Sequence, residues 1–256
     1  MAPVALGAAW AGGWWFAALI FVIAVYGTVE WNRMTGSAHA ALTIVNGVSL
    51  ALACVALQDV GGRLAVLFVL AGAALAAGVA LLRRWPLSWP VAGLLYLGIA
   101  AVSLLWLRQW GGFLLVLWLL LVIWASDTGA YLVGSRVGGP RLAPRLSPNK
   151  TWSGLVGGCV TAGLLSTAFA KLAGGEAAAF GYPFVQFLVG FVLAGLSQVG
   201  DIGESSIKRR FNVKDSGNII PGHGGVLDRV DSLIFTAPLV ALSIILLRES
   251  GALPHG

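Results

Sequence analysis

Apolar residues run in eight long blocks along this chain, at 5–26, 40–57, 64–82, 87–107, 110–133, 152–170, 180–198 and 230–247. A helix needs about 20 mainly apolar residues to cross a bilayer, and each block is close to that length. The block at 64–82 holds no polar side chain at all. The pattern predicts an all-α, polytopic integral membrane protein with about eight transmembrane helices. The first block is too long for the core of a removable signal peptide, and it lacks a basic start and a small-residue cleavage site. It therefore reads as a span.

Composition agrees with the pattern. Hydrophobic residues make up 58% and charged residues 10% of the chain, against roughly 45–50% and about 25% in soluble domains. Trp10, Trp14, Trp15, Trp31, Trp85, Trp89, Trp106 and Trp110 cluster near the block ends, where interfacial aromatics sit. Glycine and alanine are dense at 71–80 and 154–163, which allows helices to approach closely. Cys54 and Cys159 lie inside apolar blocks and act as small hydrophobes, so neither a disulfide framework nor a zinc site is indicated. His39, His223 and His255 have no metal-cluster spacing.

The net charge of +6 would suit nucleic acid, but its distribution follows the positive-inside rule instead. Alternate loops carry twelve and four of the 16 lysines and arginines. The richer set, which includes the loops at 134–150 and 201–229, is expected in the cytoplasm, with the protein integral to the membrane. Nucleic acid is not an expected partner; membrane lipids are.

The polar chemistry is concentrated in the C-terminal half. Residues 1–120 contain two acids, Glu30 and Asp59, and are expected to form a scaffold of spans with lipid and dimer contacts. Residues 121–256 are expected to carry the site. Asp201, Ser205 and Lys208 share one helical face by their spacing. Glu204 fits an ordinary helical ion pair with Lys208. Asp228 and Asp231, three apart, share a face at the start of the last span; for Asp231 a structural pairing with an arginine and a catalytic role are equally open. Asp201 and Asp228 sit at membrane boundaries, where an unpaired carboxylate is costly and a bound cation would compensate both. Oxygen ligands of this kind favour magnesium. Ser216-Gly217 and the run Pro221-Gly222-His223-Gly224-Gly225 resemble a tight loop whose amides face an anion. Asp127 closes the fifth block and is a candidate by its position in a span. Ser147-Pro148-Asn149-Lys150-Thr151 reads either as a topology-setting basic loop or as a phosphate contact through Ser147 and Lys150.

From Ser205 to Asp231 the chain matches the pattern S-x-apolar-K-R-x4-K-D-x-small-x2-apolar-P-x-H-G-G-apolar-x-D-R-apolar-D at every position. In this it resembles the phosphatidate cytidylyltransferase (CDP-diglyceride synthase) family. Asp127-Thr128-Gly129-Ala130-Tyr131 and Ser147-Pro148-Asn149-Lys150-Thr151-Trp152 are similar to further family motifs, so the resemblance covers about residues 124–247. It implies a magnesium-dependent nucleotidyltransferase that condenses CTP with phosphatidic acid to give CDP-diacylglycerol and pyrophosphate. It also implies a homodimer, and leaves room for a second cation beside Mg2+. Carried onto this chain, Asp201 and Asp228 hold metal, and Lys208, Arg209 and Lys214 neutralise triphosphate and departing pyrophosphate. Asp231, Asp127 and Ser205 support the metal or the lipid phosphate. Ser147, Lys150, Asp215, His223, Gly224, Gly225 and Arg229 are placed around the substrates.

The reaction suits such a site. A phosphate monoester, with its second pKa near 6, is already largely ionised and needs no dedicated base. What it needs is charge neutralisation and positioning. Two other readings compete: a CTP-dependent polyprenol or dolichol kinase, which would release CDP, and an ion transporter using the same acids. Against transport, the charges gather at one edge of the spans and no inverted repeat is visible.

Overall fold

The computed structural model describes residues 2–173, 182–217 and 224–251, and these are almost wholly helical. Helices α1 (Ala2–Ala11), α2 (Gly13–Met34), α3 (Ala40–Asp59), α4 (Gly62–Arg83) and α5 (Ser88–Val137) precede a hairpin of β1 (Arg141–Ala143) and β2 (Ser147–Thr151). Then follow α6 (Trp152–Ala173), α7 (Pro183–Arg210) and α8 (Leu227–Glu249). Seven of these, α2 to α8, are long and apolar enough to cross a membrane. α5 has 50 residues, about 75 Å of helix at 1.5 Å per residue, more than twice a hydrocarbon core of about 30 Å. Gly112, at φ 65° and ψ −163°, leaves helical space and divides α5 into two limbs that match the blocks at 87–107 and 110–133. With both limbs counted, eight apolar segments can span, and the all-α membrane class holds.

The first apolar block is not a single span. Gly12 takes φ 66° and ψ −159°, a conformation that favours glycine, and splits residues 5–26 between α1 and α2. Arg108, from the first limb of α5, donates from Nε to Ala9 O at 2.6 Å and from Nη2 to Trp10 O at 3.2 Å. It thereby satisfies carbonyls that the end of α1 leaves free. α1 has ten residues, too few to cross, so the first crossing is α2 and begins at residue 13 instead of 5. Hydropathy could not reveal the break, because the sequence is apolar on both sides of it.

Small residues set how the later helices meet. A Cβ at Gly158 on α6 would lie 2.6 Å from Ser126 O on α5, and one at Gly190 on α7 would lie 2.8 Å from Ala162 O on α6. Such backbone approach is the main way helices gain packing in lipid. The Trp118 indole N–H adds a buried hydrogen bond to Ser166 Oγ at 3.0 Å. α6 is thus held against both α5 and α7, which brings Asp127 on α5 to Gln198 on α7.

At the other side of the bundle α2 is fixed by Trp31. Its indole N–H donates to Trp89 O at 2.8 Å, and its ring fills the space that a Cβ at Gly93 would need. Gly27 lets Leu97 and Leu227 close over α2, with a Cβ there meeting them at 3.1 and 3.3 Å. The last turns of α2 therefore lie beside the start of α8. The basic stretch at 134–150, expected as a turn-rich loop, instead extends α5 to Val137 and folds into an antiparallel hairpin pairing Arg141 with Thr151 and Ala143 with Ser147. Thr151 Oγ1 accepts the Gly154 amide at 3.1 Å, in the manner of an N-cap, and α6 starts there.

Candidate active site at one end of the bundle

The polar end of α7 carries Asp201, Glu204, Ser205 and Lys208 on one helical face. Ser205 Oγ donates to Asp201 Oδ1 at 3.4 Å. Lys208 Nζ sits between two carboxylates, 2.7 Å from Asp228 Oδ1 and 3.3 Å from Glu204 Oε1. Its side chain is only 10% exposed, so the ammonium is an internal counter-ion. Lys150, projecting from β2, pairs through Nζ with Asp201 Oδ2 and ties the hairpin to α7. This pair is more accessible, at 21% and 26% exposure.

Asp228 stands in the first turn of α8, where an anion is favoured by the helix dipole. Its Oδ2 accepts the Ser216 amide at 2.9 Å, the Ser216 hydroxyl at 3.0 Å and the Gly225 amide at 2.8 Å. Together with Lys208 on Oδ1 this fixes the carboxylate from four directions. Asp127 accepts from Gln198 Nε2 at 3.2 Å, and Asp231 Oδ1 accepts the Ser232 amide at 2.6 Å.

These acids form one electrostatic group. Asp231 interacts with Asp201 and Asp127, Asp127 with Asp201, and Glu204 with Asp231 and Asp228. Among the described residues two lysines, Lys150 and Lys208, make direct ion pairs with this group of five. Acids crowded in this way repel one another when ionised, which a divalent cation among them would relieve. No three His, Cys, Asp or Glu side chains among the described residues are arranged to hold an ion by themselves. Asp201 and Asp228 are the carboxylates that would hold such an ion, with water and substrate phosphate completing its shell as is usual for magnesium.

Sequence reasoning missed Glu30. It lies near the end of α2, is 1% exposed, and accepts the Val226 amide on Oε1 and the Leu227 amide on Oε2, each at 2.9 Å. Ser216 Oγ is 3.2 Å from its Oε2. The signal was an acid inside an otherwise nearly acid-free run of spans. Of the glycine loop expected to face an anion, residues 221–223 lie outside the described residues; the Gly225 amide is taken by Asp228, and the Val226 and Leu227 amides just beyond it by Glu30. Ser216 is expected from sequence only as part of the loop that presents amides; the contacts of its hydroxyl with two carboxylates are not, since the motif leaves its side chain unspecified.

Of the other expected site residues, all those described but Gly224 stand further out. Arg209 is exposed and donates from Nη1 to Val213 O at 3.3 Å. Lys214, Asp215 and Arg229 are exposed, and Ser147 is half-buried at the start of β2. Gly224 has φ 81°, and a Cβ there would meet Asp228 Oδ2 at 2.8 Å. His223 lies outside the described residues.

The fold and this site define a polytopic membrane protein with a carboxylate and lysine centre at one end of its helices. The chain belongs to the cytidylyltransferase family, whose profile matches residues 1–247. It is similar to a phosphatidate cytidylyltransferase of Brucella melitensis, with 39% identity over 257 residues covering 94% of this chain and 88% of that protein. A Rickettsia prowazekii protein of the same name is 36% identical over 208 residues, covering 77% of this chain and 89% of its own length. One from Bacillus subtilis is 46% identical over 120 residues, covering 46% of this chain and 43% of its own length.

Proposed function

We propose that this chain is a magnesium-dependent phosphatidate cytidylyltransferase, condensing CTP with phosphatidic acid to give CDP-diacylglycerol and pyrophosphate. The observation that carries the reading is the meeting of two lysine–aspartate pairs, Lys150 with Asp201 and Lys208 with Asp228, at one end of a bundle of spans. The names of the relatives point the same way.

In the reaction a phosphate oxygen of the lipid attacks the α-phosphorus of CTP. The bond from that phosphorus to the oxygen bridging to the β-phosphate breaks, and pyrophosphate leaves with the electron pair. No proton has to be removed by the protein, so its residues act by binding and orientation. Lys150, the accessible lysine, exchanges its contact with Asp201 for a phosphate oxygen of the substrate. Lys208 stays between Glu204 and Asp228 and holds Asp228 in place. Asp201 and Asp228 would hold magnesium, which when bound neutralises triphosphate charge and draws electron density from the α-phosphorus. Asp127 and Asp231 lie close enough to shape the field around it. Arg209 and Lys214, exposed beyond the centre, meet the nucleotide from the aqueous side.

The distribution of basic residues, twelve against four, supports placing this end at the cytoplasmic face of a bacterial cell membrane. CTP then comes from the cytosol and the lipid laterally from the inner leaflet. The close-packing small residues are compatible with a homodimer. The test is a reaction of purified protein with CTP, phosphatidic acid and magnesium, following pyrophosphate and CDP-lipid. Both products are expected from the wild type. Release of CDP with a phosphorylated lipid alcohol would replace this reading with that of a lipid kinase.

A further inference from the structure

Glu30 is a buried carboxylate from the half of the chain that carries little chemistry, yet it reaches the centre of the site. Among the described residues it has no ion-pair partner within 4.0 Å; its charge is met by the amides opening α8 and by the Ser216 hydroxyl. Such amides are where a helix ordinarily receives an anion. Glu30 occupies that position, so this helix terminus is not available to a substrate phosphate.

The chain is shaped around the carboxylate. A Cβ at Gly217 would lie 2.6 Å from Glu30 Oε1, and one at Gly225 would lie 2.6 Å from Glu30 Oε2 and 2.2 Å from Ser216 Oγ. These glycines therefore serve contact with Glu30 on the two sides of the loop. Ser216 Oγ is also within reach of two acceptors, Asp228 Oδ2 at 3.0 Å and Glu30 Oε2 at 3.2 Å. A hydroxyl has one proton to donate, so the two carboxylates are linked through a single donor.

We propose that Glu30 is a positioning residue for the transfer reaction, holding Ser216 and the start of α8 so that Asp228 keeps the orientation the reaction needs. The inference rests on the proposed cytidylyltransferase reaction and adds to it a residue of α2 that never touches substrate. Glu30→Gln keeps the shape, but its amide nitrogen cannot accept and must face a backbone N–H or the hydroxyl. The loss falls on the geometry of Asp228 and not on the substrate-binding surface.

The test compares full-length wild type, Glu30→Gln, Ser216→Ala and the double variant in detergent with lipid, measuring kcat and both KM values. Each single variant is expected to lose about tenfold or more in kcat with KM for CTP changed less than threefold. The double variant is expected to be no worse than the poorer single one, because both act on one chain of contacts. Unchanged kcat, or losses that multiply, would overturn the proposal. A cap that only stabilises the fold would lower the melting temperature and leave the kcat of the folded fraction intact, which also overturns it. If Glu30→Gln does not fold, Gly217→Ala takes its place, since its Cβ intrudes on Glu30, and the same criteria apply. Amide hydrogen exchange separates this inference from the reaction itself. Faster exchange at Gly225, Val226 and Leu227 in Glu30→Gln, with other helices unchanged, is expected whatever the substrate is. Unaltered exchange would sink the inference even in an active enzyme, whereas wild type making no CDP-lipid would sink the proposed reaction and, with it, Glu30's part in it.

Discussion

The two lysine–aspartate pairs differ in a way that assigns them different work. Lys208 is enclosed between Glu204 and Asp228, and its loss would strand buried carboxylates, a cost of several kcal/mol where one partner of a buried pair is removed. Lys208→Ala is therefore expected to lower thermal stability as well as kcat, measured together on detergent-solubilised protein. Lys150 pairs with Asp201 at a more open position, and a charge-assisted contact with phosphate is worth about 1.5–3 kcal/mol. Lys150→Ala is expected to raise KM for CTP by roughly tenfold or more while the melting temperature stays within a few degrees, by steady-state kinetics and a thermal scan. Asp228→Asn keeps size but weakens the hold on Lys208, and a loss of about 10²-fold or more in kcat is expected. The acids at 201 and 228 were legible from sequence because their spacing and membrane-edge positions isolate them. Glu30 stood out only as an isolated acid; its role was hidden because two of its partners are backbone amides almost 200 residues away, and backbone donors leave no mark in a side-chain pattern.

Among the elements, close contact of α5, α6 and α7 decides whether Asp127 reaches Gln198. Gly158→Leu would drive a side chain into Ser126 O, where the space at Cβ is 2.6 Å, and overpacking of this kind costs about 1–3 kcal/mol. A lower melting temperature with reduced activity is the expected result; an unchanged one would show that the helices separate without consequence. Hydropathy located α3, α4, α6, α7 and α8 to within a few residues at most ends, because each is one apolar run bounded by polar or turn-forming residues. It failed at the first span and was blind to the hairpin for the same physical reason. Both are set by backbone geometry, at Gly12 in one case and in the Arg141–Thr151 pairing in the other, and hydropathy sums side chains.

For the molecule as a whole, the asymmetry of basic residues predicts that one end of the bundle, with Lys214 and the hairpin, lies in the cytoplasm. Single cysteines at Lys214 and Arg63, in a background without Cys54 and Cys159, should label from opposite sides of the membrane in intact cells and lysates. Labelling from the same side would refute the topology. The linkage of Glu30 to α8 also bears on how the chain can be divided. A fragment beginning near residue 121 would contain Asp127, Lys150, Asp201 and Asp228, and by its list of charged side chains would look sufficient. It would nevertheless leave the Val226 and Leu227 amides without the acceptor they have in the intact chain, at a buried position where water offers little substitute. Two halves expressed as separate polypeptides should regain activity only when α2 is supplied in trans, which would make the quiet half an obligate subunit of its own catalytic partner.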